Sequence, residues 1–163
     1  MRHAKSSWNH PGVTDHERPL NDRGSMAAPF MGNYLRANGL LPQIIISSPA
    51  TRARQTAMLV HEMAQISTGI IFDKRIYEAS YADLIDAVNE IDNSIDKAML
   101  VGHNPGLEEL ILGLTDQSVL MATACVAVID LEIDDWINAN KVLGNLNSVL
   151  RPRELMNADT LQM

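Results

Sequence analysis

The chain has 163 residues, 46% hydrophobic and 20% charged, with 13 basic and 20 acidic side chains and a formal net charge of −7. This fits one globular domain with its own core and argues against a disordered chain. The acidic balance disfavours nucleic acid and anionic membranes as partners, the single cysteine Cys125 excludes an intrachain disulfide, and no apolar run is long enough to span a bilayer.

With no signal peptide visible, a cytoplasmic location is expected. Residues 4–24 read as a polar loop containing Pro11, Gly12, Pro19 and Gly24. Residues 22–38 read as a helix, with Asn21 or Asp22 as N-cap, Gly39 as the stop, and Pro29 expected to kink it or to start its second segment. Gln43–Ser48 (QIIISS) reads as a buried strand, and Thr51–Ile66 as a helix with Ala57, Val60, His61 and Ala64 along one stripe. Residues 69–76 suggest another strand and Ser80–Ile91 a helix. Ala98–Gly102 is a short apolar strand, and Pro105 opens a helix through Leu114. Ala122–Leu131 is the longest strand candidate, residues 141–151 suggest a last strand, and 152–163 read as a polar tail outside a domain of residues 1–151.

Strands alternating with helices predict an α/β fold: a three-layer α/β/α sandwich around a mostly parallel central sheet. In such sheets ligands bind beyond the carboxyl ends of the strands. Ser47–Arg52, Tyr77–Ser80 and His103–Gly106 all fall at such ends. Together with the Arg2–His3 pair they supply two arginines, two histidines and the carboxylate of Glu78. This set suits phosphoryl transfer with no metal and no organic cofactor. Arginine presents paired donors to phosphate oxygens. A neutral imidazole attacks phosphorus, and flanking arginines keep it neutral. A second histidine donates to the charged oxygens, and a carboxylic acid protonates the leaving group. Each residue also has a plainer reading. Arg2 and His3 would serve as an ordinary chain terminus, Arg52 as a solvated helix charge, His103 as a capping or core residue, and Glu78 as a surface carboxylate. Arg54 reads as solvated, and His10, His16 and His61 as non-catalytic. The spacing of His3, His10 and His16 fits no common zinc pattern.

Three stretches carry a resemblance to a known family. They are Met1-Arg2-His3-Ala4-Lys5-Ser6-Ser7-Trp8-Asn9, Ser48-Pro49-Ala50-Thr51-Arg52-Ala53-Arg54-Gln55-Thr56-Ala57 and Val101-Gly102-His103-Asn104-Pro105-Gly106. In this order they resemble the signatures of the histidine phosphatase superfamily, the phosphoglycerate mutase-like group. Glu17-Arg18-Pro19-Leu20-Asn21-Asp22-Arg23-Gly24 and Leu150-Arg151-Pro152-Arg153 resemble the small SixA-type phosphohistidine phosphatases. The resemblance implies that His3 carries the phosphate, that Arg2, Arg52 and His103 hold its oxygens, that Asn9 contacts it, and that Glu78 is the proton donor. It implies a phosphohistidine on a protein as substrate. The alternatives are a small phosphorylated metabolite, handled by a phosphatase or a mutase, and an inactive phosphate-binding module. It also implies an apolar strand directly before Arg-His in mid-sheet. Met1 directly precedes Arg2 here, so the first central strand is expected to be truncated, with about 6–8 residues lying upstream.

Overall fold

Three isoleucines and a serine form the centre of the sheet. The structure is a computed structural model and describes residues 1–9 and 11–160; His10 and residues 161–163 of the expected tail lie outside the described residues. Strand β1 (Ile44–Ser47) pairs in parallel with β2 (Ile70–Phe72) on one side and β3 (Ala98–Val101) on the other. Successive side chains of a strand point to opposite faces, so a run buried on both faces reads as continuously apolar. Ile45 joins a cluster with Ala28, Met31 and Leu35 of helix α1 (Asp22–Ala37) and Ala53, Ala57 and Val60 of α2 (Thr51–Ala64). Ile46 joins Leu84, Ile85 and Val88 of α3 (Tyr81–Asn89) and Leu107 and Leu110 of α4 (Gly106–Thr115) on the other face. The expected α/β/α layering is therefore present. Each fully buried Leu, Ile or Met contributes roughly 1.5–3 kcal/mol.

Helix α1 starts where expected: the Asn21 side chain accepts the Gly24 N–H at 3.0 Å. It runs unbroken through Pro29, so Pro29 neither ends it nor starts a second segment. Other boundaries differ. The strand read over 69–76 ends at Phe72, because the Asp73 side chain accepts the Arg75 N–H and starts a 3-10 turn, Lys74–Ile76. The long strand read over Ala122–Leu131 is only β4 (Val126–Asp130), which pairs antiparallel with β5 (Asn145–Leu150). The polar tail read after 151 is instead helix α5, Pro152–Thr160; its Leu155 packs on the α1–α2 core.

The slot between β3 and β4 is filled, over a short length, by the start of the chain. Met1 O accepts from Gly102 N at 3.1 Å and His3 N donates to Gly102 O at 3.0 Å. On the other side Arg2 N donates to Cys125 O and Ala124 N to His3 O. The Met1 amino group donates to Leu100 O at 2.7 Å, and burial pushes its pKa from 8.0 down to about 5. Beyond Met1 lies a cavity of about 490 Å³, walled by Leu100, Leu107, Val126, Val128 and Ile129. Met1–His3 thus pairs only over a short length between β3 and the residues before β4.

Two predictions follow from this packing. About five apolar residues fused ahead of Met1 should enter the slot, replace the amine with a peptide N–H and raise the melting temperature by several degrees; an unchanged value in scanning calorimetry would mean the slot takes no strand. A Cβ at Gly24 would sit 2.2 Å from the Lys5 carbonyl oxygen. Gly24→Ala should therefore destabilise by about 1–3 kcal/mol, measured by urea unfolding.

Candidate active site

The polar groups gather where the sheet ends. Gly102 places His103 just past β3, and Ser48 follows β1 directly. The first turn of α2 carries Arg52, and α4 begins at Gly106. Both helices therefore start at this edge, where the positive end of a helix dipole favours an anion. His3 leaves the sheet between them, and Ala4 N donates to Thr56 Oγ1 at 2.9 Å. Thr56 Oγ1 in turn donates to Arg52 O at 2.6 Å. One hydroxyl thus links the His3 segment to the turn that holds Arg52.

His3, Arg52 and His103 are buried to 7%, 6% and 9% exposure, which rules out the solvated-charge reading of Arg52. His3 Nδ1 lies 2.7 Å from Ala4 O, and Arg52 Nε donates to His3 Nε2 at 3.3 Å. A carbonyl only accepts and a guanidinium only donates. Nδ1 therefore carries the proton, and Nε2 presents its lone pair. The two imidazole rings stand 5.0 Å apart between centroids. By the same logic His103 Nδ1, 3.3 Å from Arg52 Nη2, accepts, and Nε2–H donates to Ser48 Oγ at 2.9 Å.

Burial is the main cause that lowers His3 from 6.5 to about 4; the Ala4 hydrogen bond opposes it, and Arg52, Arg2 and Arg18 add to it. Burial likewise leads for His103, lowered to about 3, with His3 and Arg52 adding. Flanking arginines were the expected cause. Desolvation is the larger one, because charging a buried imidazole forfeits its hydration.

Arg2 donates from Nη1 to Met121 O at 2.8 Å. Among the described residues, its buried Nε has no hydrogen-bond partner. Glu78 lies at the same edge but is exposed, with φ at +52°. The preceding Tyr77 turns its ring edge to His103, 5.6 Å between centroids. Asn9 is exposed, and the hydrogen bond it makes is from its backbone N–H to Ser7 Oγ. Arg54 is exposed with its guanidinium 4.9 Å above Phe72. His61 bonds to Thr68 O near the far end of α2, and His16 meets Tyr77 edge-on at the rim.

The sequence reading gave no role to Asp15, Arg18, Tyr77 or Ser48, although Ser48 and Tyr77 fall in the strand-end clusters it named. Arg18 is only 9% exposed, and it stacks 3.4 Å over the Trp8 ring. Its buried Nη1 has no partner among the described residues. The signal for it was available: Arg18 lies inside the Glu17–Gly24 stretch already singled out. Asp15 binds Arg52 Nη2 at 2.9 Å and accepts from the Tyr77 hydroxyl at 3.0 Å. No cluster of His, Cys, Asp or Glu among the described residues could hold a metal ion, and no helix there is long and apolar enough to cross a membrane.

The chain is similar to known proteins. An uncharacterized protein of Mycobacterium tuberculosis is 36% identical over 118 residues, covering 72% of each chain. A 2,3-bisphosphoglycerate-dependent phosphoglycerate mutase of Azorhizobium caulinodans is 36% identical over 87 residues, covering 52% of this chain and 42% of the mutase. The crystal structure of a protein assigned as the phosphohistidine phosphatase SixA of Agrobacterium tumefaciens superposes with a TM-score of 0.80 at 25% identity, covering 93% of this chain and 95% of that one. With residues 1–113 matching the model of the histidine phosphatase superfamily, branch 1, the chain belongs to that superfamily and resembles its SixA-type phosphatases.

Proposed function

We propose that this phosphatase works through a phosphohistidine on His3 Nε2, with a phosphohistidine of a protein as its substrate. The observation that carries the reading is the pairing of His3 Nδ1 with Ala4 O, which leaves Nε2 unprotonated beside Arg52 Nε. In the first step the Nε2 lone pair forms a bond to phosphorus while the bond to the leaving nitrogen or oxygen breaks. Arg52 and Arg2 neutralise the equatorial oxygens. Arg18 joins them through Nη1, a buried donor without a partner among the described residues. His103 completes the pocket. The imidazole carries positive charge once phosphorylated, and the Ala4 carbonyl stabilises its Nδ1–H.

The departing group takes a proton. Asp15, hydrogen-bonded by Tyr77 and Arg52, stays ionised and is a poor donor. Glu78, exposed on the rim, supplies that proton as the carboxylic acid and is left as the carboxylate. A phosphoramidate nitrogen is basic enough to be protonated with little help, which suits a site with so few acids. Water then attacks phosphorus, the N–P bond breaks with its electrons returning to Nε2, and phosphate leaves. Neither step calls for a metal ion or an organic cofactor. The choice of a protein substrate rests on the likeness to SixA over nearly the whole chain. The partial likeness to a phosphoglycerate mutase favours a second reading, a small phosphorylated metabolite.

Brief incubation with a labelled phosphodonor should place alkali-stable, acid-labile phosphate on the protein, and His3→Ala should abolish both label and turnover. Labelling that persists in His3→Ala would overturn the mechanism. Comparing rates on phosphohistidine with a panel of phosphometabolites separates the two substrate readings.

The pH profile offers another check. His3 remains neutral well below its usual 6.5, so kcat/KM, corrected for substrate ionisation, should show no acid limb near 6.5 and fall only toward about 4. Stability has a different window. Both histidine pKa values are depressed in the folded state, so the unfolded chain binds more protons below 6.5. The stability that comes from keeping the rings neutral is complete above 6.5 and is lost as pH falls from there toward 4. Urea unfolding across that range measures it.

A further inference from the structure

We propose that the Asp15 carboxylate occupies the phosphate seat when the site is empty, and that a phosphoryl group must displace it from Arg52. This rests on the reading of the cluster as a phosphate site. Four contacts carry it. Asp15 Oδ2 takes Arg52 Nη2 at 2.9 Å and the Tyr77 hydroxyl at 3.0 Å. Asp15 Oδ1 forms an ion pair with Arg18 Nε at 3.2 Å, without hydrogen-bond geometry. The Asp15 backbone carbonyl accepts from Arg52 Nη1. The carboxylate thus engages two buried guanidinium groups close to His3, the same donors that a phosphoryl oxygen would use.

Mobility is unequally divided. The Arg52 side chain is 7% exposed and fixed by the fold, whereas that of Asp15 is 46% exposed and belongs to a loop rather than a helix or strand. Space for it to move into is present: a cavity of about 110 Å³ lies between Ser7, Trp8, Val13, Asp15 and Arg18. The occupant that leaves is therefore Asp15. Burial raises its pKa, but hydrogen bonds from Tyr77 and Arg52 outweigh this and hold the carboxyl below the usual carboxylate range. It is thus charged in the empty site and competes as an anion.

The consequence is selectivity. A ligand gains only the difference between its own interaction with the arginines and that of the tethered carboxylate. A phosphoryl dianion, with three oxygens and greater charge, gains from the exchange. A monoanion such as acetate gains little.

The test is calorimetric binding of inorganic phosphate to the wild-type chain, Asp15→Asn and Arg52→Ala at one pH and ionic strength. Removing the internal competitor should tighten binding to Asp15→Asn by about tenfold, the factor expected when a competing closed state is abolished. Arg52→Ala should weaken binding by a similar factor or more. If Asp15 instead braces Arg52, Asp15→Asn will bind phosphate as the wild type does or more weakly, and the proposal is overturned. The arginine variant separates the two ideas. Binding unchanged in Arg52→Ala removes the phosphate-site reading and this proposal with it. Weakened binding there, without tightening in Asp15→Asn, removes only the role of Asp15. Should Asp15→Asn fail to fold, hydrogen exchange of the wild type decides. Phosphate should speed exchange in residues 11–18, because their anchor is displaced; unchanged or slower exchange overturns the proposal.

Discussion

The site depends on backbone hydrogen bonds that hold His3 from both sides. Residues this near a chain terminus ordinarily fray. Here Met1–His3 lies between Gly102 and Ala124–Cys125, with main-chain bonds in both directions, and Ala4 is tied to Thr56. The imidazole is therefore positioned by the sheet itself. Phosphoryl transfer is sensitive to displacements of about 1 Å, and a loop of this length would not hold such a tolerance. The fit of Gly24 against Lys5 serves the same end, because it clamps the start of α1 on the chain that leaves His3. The Asn21 N–H adds a bond to Lys5 O at 2.9 Å.

Given that placement, burial sets the chemistry. The surface carries an excess of acid, yet Arg2, Arg18 and Arg52 converge around two histidines. Charging either ring there would forfeit hydration and oppose the guanidinium groups, and both effects favour the neutral imidazole. The larger of the two is desolvation. In the proposed mechanism the arginines have a second task, stabilising the charge of the phosphoryl group. Neutrality of the nucleophile and capture of its target thus come from separable sources. A change of charge at the rim alters capture more than it alters the protonation of His3.

The sequence made part of this legible. The IIIS run, the Asn21 cap and the order of the Arg2–His3, Arg52 and His103 segments are local patterns, and the structure brings those side chains together. Residues on irregular backbone were harder to place. Asp15 reaches Arg52 through a loop with no periodicity, and nothing in its neighbours announces that contact. Glu78 sits in the left-handed region at φ +52°, and side-chain direction there cannot be inferred from spacing; nor could the exposed position of Asn9. Two errors had visible remedies. Pro152 with Glu154 two residues later is an ordinary helix start, overlooked in α5 because apolar residues there are sparse. Residues 122–125 read as strand because they are small and apolar, but Ala124 and Cys125 make their hydrogen bonds to the His3 segment instead of extending β4.

The buried arginines also bear on which anion the site favours. Among the described residues, Arg2 Nε, Arg18 Nε and Arg18 Nη1 are buried donors without protein hydrogen-bond partners. The Asp15 carboxylate accepts from Arg52 and lies in an ion pair with Arg18, and it leaves those three nitrogens without a hydrogen bond. An incoming phosphoryl group has more oxygens than a carboxylate and so more acceptors to offer them. Binding energy then comes from donors that the fold has already desolvated and oriented, with little further reorganisation. On the proposed reading, these donors equip the site to select a phosphoryl group over a carboxylate.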